Sequence, residues 1–208
     1  TMIEDPTNFA TVPERTMQGW IEFLVLSELM RQTDLGGEDA FSGDGGSYID
    51  PTLVSFYGNS MGAALGGGYS AMNPGIDRVV LGVGGMPFSL LLTRAEGFLP
   101  FLSVLGTMYD DWADISLLFG LFQQQWDPAE SIGWVHAQDK EVLMQIAIGD
   151  GGLPTIGGHV MARGYGAVLA EPYPREVWGL ESQTLPVEAS TLVEWDMGVP
   201  DPDGAYPP

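Results

Sequence analysis

A chain of 208 residues with 28 acidic and 7 basic side chains, a net charge of −21 and no cysteine is long enough for one well-cored domain or a large part of a bigger one. The charge excludes nucleic acid and anionic membranes as natural partners, and the missing thiols exclude disulfides. At 45% hydrophobic and 11% aromatic residues it is a folding sequence rather than a disordered one, and its apolar runs break well before the ~18 residues a membrane span needs.

Residues 1–11 are polar and turn-rich, and no basic segment followed by an apolar one opens the chain, so no signal peptide is expected within it. Pro13 begins a helix, since a proline in the first turn lacks only an N–H that would be unpaired there. Trp20, Phe23, Leu24, Ser27, Leu29 and Met30 keep roughly helical spacing to about Arg31. Residues 34–50, rich in Gly and Asp, read as an exposed loop.

Residues 52–57 form a short β-prone run between turn residues and predict a buried strand. The sequence Gly58-Asn59-Ser60-Met61-Gly62 follows, then a helix rich in small residues to Met72, stopped by Asn73-Pro74-Gly75. Residues 78–83 predict a second strand. The apolar stretch 88–138 is mostly helical. A third strand at 141–148 ends in Gly149-Asp150, a helix is expected over 156–165, and a fourth strand over 191–195. The tail from Pro200 is Pro-rich and aperiodic. Strands alternating with helices predict a parallel sheet covered on both faces.

The chemistry sits in Gly58-x-Ser60-x-Gly62, because it lies between a predicted strand and a predicted helix. A tight, strained turn there needs little bulk at Gly58 and Gly62. It lifts the Ser60 hydroxyl above the carboxyl end of the strand. The helix behind it aims its N-terminus at the site, so the Met61 N–H is placed to hold an oxyanion. Ala63, Ala64, Gly66, Gly67 and Gly68 let the helix pack close to the sheet. Without chemistry, the same pattern is a Gly-rich turn.

Tyr57-Gly58-Asn59-Ser60-Met61-Gly62, Arg78-Val79-Val80-Leu81-Gly82-Val83-Gly84-Gly85 and Leu143-Met144-Gln145-Ile146-Ala147-Ile148-Gly149-Asp150 are spaced as in the α/β-hydrolase superfamily. Over residues 13–198 the chain resembles large bacterial secreted or surface-attached hydrolases of that superfamily. The resemblance implies a parallel-sheet α/β-hydrolase-like fold, incomplete because its first strands are absent, with a helical cap insertion. Residues 1–87 hold the first helix, the elbow strand and the strand after it. Residues 88–140 are the cap, and 141–208 the C-terminal core with the acid-bearing strand and the tail.

It further implies Ser60 as nucleophile and Asp150 as the triad acid that holds a histidine's tautomer and stabilises the imidazolium; otherwise Asp150 is a turn residue before Gly151. The pattern then fails. The family's histidine follows the last strand, and no His lies beyond Trp195. His136 reads as a surface residue, and His159 has the wrong order and distance for the base. The expectation is an internal piece of a larger or processed hydrolase, with another chain or segment completing the sheet and supplying the His. A sheet beginning at Leu53 would otherwise leave an unpaired hydrophobic edge.

Cap residues Phe98, Phe101, Trp112, Phe119, Phe122, Trp126 and Trp134 either line a hydrophobic acyl pocket or pack on one another. Residues 34–50 and 196–203 carry acids among turn residues, a composition that can bind Ca²⁺. Neither matches an EF-hand loop, so solvated loops and no cofactor are expected. The function implied is esterase- or lipase-like acyl hydrolysis by a serine hydrolase, with peptidase or amidase action using the same parts. The alternative is an inactive hydrolase-fold subunit of a structural or surface assembly. A plain α/β domain holding a phosphate at the elbow ranks last, lacking the glycine and lysine context. The resemblance alone places the protein outside a bacterial cell or on its surface.

Overall fold

Valine, leucine and isoleucine runs too short for helices pair here side by side, as a buried parallel sheet requires. The computed structural model describes residue 8 and residues 10–201. Among these, six strands form one sheet: β1 (Ser55–Asn59), β2 (Arg78–Gly82), β3 (Val142–Ala147), β4 (Val168–Glu171), β5 (Ser182–Thr184) and β6 (Thr191–Trp195). Their order is β1-β2-β3-β6-β4-β5, and every neighbouring pair is parallel. The chain is therefore α/β, with helices on the sheet. Asn59 pairs with Gly82, and Gly82 with Gln145, so β1 and β2 finish level and β3 runs two residues further, to Ala147.

The four expected strands are all present. The two others, β4 and β5, are four and three residues long, and Ser182-Gln183-Thr184 offers no apolar alternation to read. β5 forms one edge of the sheet. Its Ser182 and Thr184 hydroxyls donate to the carboxylate of Glu171 on β4, at 2.8 and 2.6 Å. β1 forms the other edge, with Ser55, Tyr57 and Asn59 exposed.

α1 (Thr11–Arg31) covers the β1 end of the sheet, burying Pro13, Trp20 and Ser27. Arg31 Nη1 donates to Gly75 O at 2.6 Å, pinning the end of α1 to the loop before β2. From Trp20 to Met30 the helix is interrupted only by Glu22, Ser27 and Glu28, more apolar residues than one buried face requires. Ile21 is 53% exposed and Phe23 56% exposed, with Val25, Leu26 and Leu29 also open. The expected loop after it contains a four-residue helix (Thr33–Gly36), a 3-10 turn (Asp39–Phe41) and a two-residue antiparallel ladder of Ser42–Gly43 with Gly46–Ser47.

α2 (Met61–Met72) is the helix of small residues, and its glycines serve close approach. A Cβ on Gly66 would overlap the Phe56 ring of β1, and one on Gly68 would lie 2.5 Å from the Trp20 ring of α1. The 3-10 stretch Ser131–Ala137 lies against the same helix, where Ser131 Oγ donates to Ala64 O. The main core joins Val79, Leu81, Val142, Met144, Ile146, Leu169 and Leu192 of the sheet to Trp20, Tyr69 and Met161 from the helices.

The stretch expected as a cap holds α3 (Phe88–Leu92), α4 (Leu99–Met108) and α5 (Trp112–Trp126), the last begun by Asp111 accepting from Ala113 N at 2.8 Å. α6 (Thr155–Gly164) follows β3. The cap aromatics pack mainly on one another. Phe119 stacks 6.4 Å from Phe101 and 6.3 Å from Phe122, Trp126 contacts Phe122 and Phe88, and Trp134 meets Trp20 edge-on at 6.2 Å. Trp112 is exposed.

One buried carboxyl joins the entry and exit of this insertion. Glu130, 1% exposed, accepts from Phe88 N at 2.9 Å with one oxygen and from Gln123 Nε2 with the other. Gln123 Oε1 in turn accepts from Ser89 N at 3.0 Å. Burial pushes the Glu130 carboxyl up to about 7, only partly offset by its Gln123 and Phe88 hydrogen bonds. A carboxyl whose pKa rises on folding stabilises the fold while protonated. Stability should therefore fall as pH climbs from about 4.5, the ordinary value, to about 7. Denaturant midpoints of wild type and Glu130→Gln, compared at pH 5 and pH 8, should show that slope in the wild type and lose it in the variant.

Candidate active site at the Ser60 elbow

β1 is handed to α2 through one residue. Ser60 lies at φ 54°, ψ −122°, a region that costs a side-chain-bearing residue ~1–3 kcal/mol. The surroundings hold it there. Ser60 N donates to Gly82 O at 2.9 Å, and Ser60 O accepts from Ala63 N at 2.8 Å and Ala64 N at 3.0 Å. A Cβ on Gly58 would overlap the Gly62 carbonyl, so the turn closes only on glycine. Gly62 departs from the expectation, because a Cβ there meets nothing within 4 Å. The tight side of the turn is Gly58 alone.

Ser60 is exposed. As Met61 opens α2, its N–H belongs to the first turn, whose donors have no intrahelical partners and carry the positive end of the helix dipole. Met61, the expected oxyanion donor, is thus the residue next to Ser60 at the start of the helix. Tyr57 and Asn59, neighbours on one face of β1, join through Tyr57 Oη to Asn59 Oδ1 at 3.4 Å and cover Gly82. A cavity of about 360 Å³ flanks the elbow, lined by Trp20, Phe23, Phe56, Tyr57, Asn59 and Tyr69 among others. It lies between α1 and α2, not among the cap aromatics.

Asp150 follows β3 at the same end of the sheet, half-buried. Two strand spacings, about 10 Å, separate the strands that carry Asp150 and Ser60. Its Oδ1 accepts from Gly152 N at 2.7 Å and Leu153 N at 3.1 Å, so the carboxylate organises its own turn. Gly149, at φ +78°, lets the chain pass under Pro200, whose carbonyl would sit 2.7 Å from a Cβ.

The histidines lie elsewhere. His136 is exposed, ahead of the amino end of β3. His159, on α6, is 3% exposed, and its Nε2 lies 2.9 Å from Glu194 Oε1 on β6, three strands from β1. Arg175 grips Glu194 through Nη2 at 3.0 Å and reaches Asp201 through Nη1 at 2.8 Å. Sequence reasoning missed this cluster; its signal was an acid inside the apolar run Thr191-Leu192-Val193-Glu194-Trp195. It also missed Val83, the other non-glycine residue at positive φ, 44°, among those described.

No group of three or more His, Asp or Glu side chains among the described residues converges to hold a metal. In the acidic stretches Asp50 accepts from Thr52, Asp196 from Gly198 N and Asp201 from Arg175; Asp203 lies outside the described residues. No described helix is long and apolar enough to cross a membrane.

Burial of the Glu194 carboxylate favours its neutral form, but hydrogen bonds and charge from His159 and Arg175 outweigh this and hold it below the usual range. Its stabilisation is present above about pH 4.5, the ordinary value, and is lost as pH falls through its depressed value. Glu194→Gln should cost about 1–3 kcal/mol at neutral pH by weakening the bonds to buried His159 and to half-buried Arg175, which keeps Asp201, and should flatten the acid limb of a pH–stability curve. At the elbow, Gly58→Ala should cost about 3 kcal/mol through overpacking. Gly62→Ala should stay within about 1 kcal/mol of wild type, both read from urea melts.

No family model matches the chain, and no curated protein or solved structure was found similar to it.

Proposed function

We propose that the protein is a serine hydrolase of α/β-hydrolase-like architecture that cleaves esters through Ser60. The observation that carries this is the Ser60 backbone: an exposed serine held at φ 54°, ψ −122° between a parallel strand and a helix N-terminus. That is the geometry of a nucleophile elbow. In this reading Ser60 Oγ attacks the acyl carbonyl while its proton passes to a histidine. The Met61 N–H stabilises the oxyanion, and the imidazolium then protonates the departing alcohol. Water, deprotonated by the same histidine, releases the acid and restores Ser60. Asp150 orients the imidazole.

The histidine comes, in this proposal, from another chain or segment lying along β1. Two features support such a partner. Among the described residues no strand lies along the outer edge of β1, and Tyr57 there is 64% exposed. Beside that edge α1 presents Ile21, Phe23, Val25 and Leu26 to solvent, exposed apolar side chains of the kind found at interaction sites.

A second reading, a hydrolase-fold subunit without turnover, is favoured by the location of His136 and His159 away from Ser60. Labelling of the native assembly with a fluorophosphonate, followed by peptide mapping, separates the two. Modification at Ser60, abolished together with esterase activity by Ser60→Ala, is the expected result. An unmodified Ser60 with all partners present would establish the inactive subunit instead.

A further inference from the structure

Ser60 has a strained neighbour that the elbow does not need. Among the described non-glycine residues, only Ser60 and Val83 have positive φ. A β-branched side chain is among the least tolerant of that region, and the strain is of the same order as at Ser60, ~1–3 kcal/mol. Val83 directly follows β2, the strand between that of Ser60 and that of Asp150. It is tied to both sides: the carbonyl of the preceding Gly82 accepts from Ser60 N at 2.9 Å, and Val83 N donates to Gln145 O of β3 at 2.6 Å.

The sharp turn at Val83 has a structural purpose. It feeds Gly84 and Gly85 between two helices, where a Cβ on Gly84 would lie 2.7 Å from the Ala63 Cβ of α2 and one on Gly85 2.8 Å from the Gly157 carbonyl carbon of α6. A glycine would make that turn without strain, and two glycines already follow. The isopropyl group is not part of the main buried core either; Val83 is half-buried at the carboxyl end of the sheet. Neither backbone geometry nor core packing accounts for a valine here, while strain of this kind persists where surrounding structure and function hold it.

We propose that Val83 is a specificity residue of the Ser60 site, narrowing the space beside the nucleophile. It admits acyl groups that are unbranched next to the carbonyl and excludes branched ones. This rests on Ser60 being the nucleophile.

The test compares native assemblies carrying wild type, Val83→Ala and Val83→Gly. Each is assayed with p-nitrophenyl butyrate and its branched isomer p-nitrophenyl isobutyrate, and by the rate of fluorophosphonate attachment to Ser60. Wild type should prefer the straight chain. Both variants should raise kcat/KM for the branched ester relative to the straight one by about tenfold, the scale of discrimination one methyl group gives. Val83→Gly should melt at or above the wild-type temperature, because the strain is released. If wild-type Ser60 is labelled but the ester ratio changes less than twofold in both variants, the role of Val83 is overturned and that of Ser60 stands. A lower melting temperature in Val83→Gly would assign the side chain to packing and overturn the proposal too. If wild-type Ser60 takes no label, the nucleophile reading itself falls.

Discussion

The contact between Gly58 and the Gly62 carbonyl governs this half of the molecule. A strand and a helix that must meet across one residue can do so only if the chain folds back on itself within van der Waals distance, and a side chain at Gly58 prevents it. Once that contact closes, Ser60 is forced into its left-handed conformation and its N–H finds Gly82 O. The direction of α2 is then set, which is why α2 must be built of small residues. Phe56 of β1, Trp20 of α1 and Ser131 from the far side all press onto its glycines. The strain at one residue is offset by the packing of an entire helix.

Buried acid is handled in two opposite ways in this fold. Glu194, whose side chain is 0% exposed, has a histidine and an arginine at hydrogen-bonding distance, and remains ionised. Glu130, equally enclosed, is met by an amide N–H and a carboxamide, neutral donors both, and has the nearby Asp127 charge against it. The first arrangement joins β6, α6, the loop after β4 and the chain beyond β6 by charge. The second joins the two ends of the helical insertion by directed hydrogen bonds from neutral donors. A protein with 28 acids and 7 bases has few cations to spend on its interior. Arg175 goes to Glu194 and Asp201; Glu130 is left with dipoles.

Much of the sheet was legible because its central strands are short apolar runs bounded by glycine and proline, and burial on both faces demands nothing more specific. β5 was not, since Ser182, Gln183 and Thr184 carry no hydrophobic signal and are held by side-chain bonds to Glu171. The elbow was legible as a motif, but the division of labour inside it was not: Gly58 and Gly62 look equivalent in sequence, and only the three-dimensional turn separates them. Val83 was invisible for the opposite reason. Valine at the end of a strand is what propensity favours, so its left-handed backbone contradicts local expectation. His159 was legible as a poor catalytic candidate from chain order; that it serves Glu194 depended on a contact 35 residues away in sequence.

The two edges of the sheet are finished differently. At β5 the strand is three residues long, polar, and has its hydroxyls turned inward to Glu171, a blunt end of the kind that discourages further strands. At β1 the edge is flanked by an apolar helix and a cavity. A head-to-tail fibre needs two complementary ends that repeat without limit. Among the described strands only the β1 end is left open, so a head-to-tail repeat along the sheet has no second end to build on.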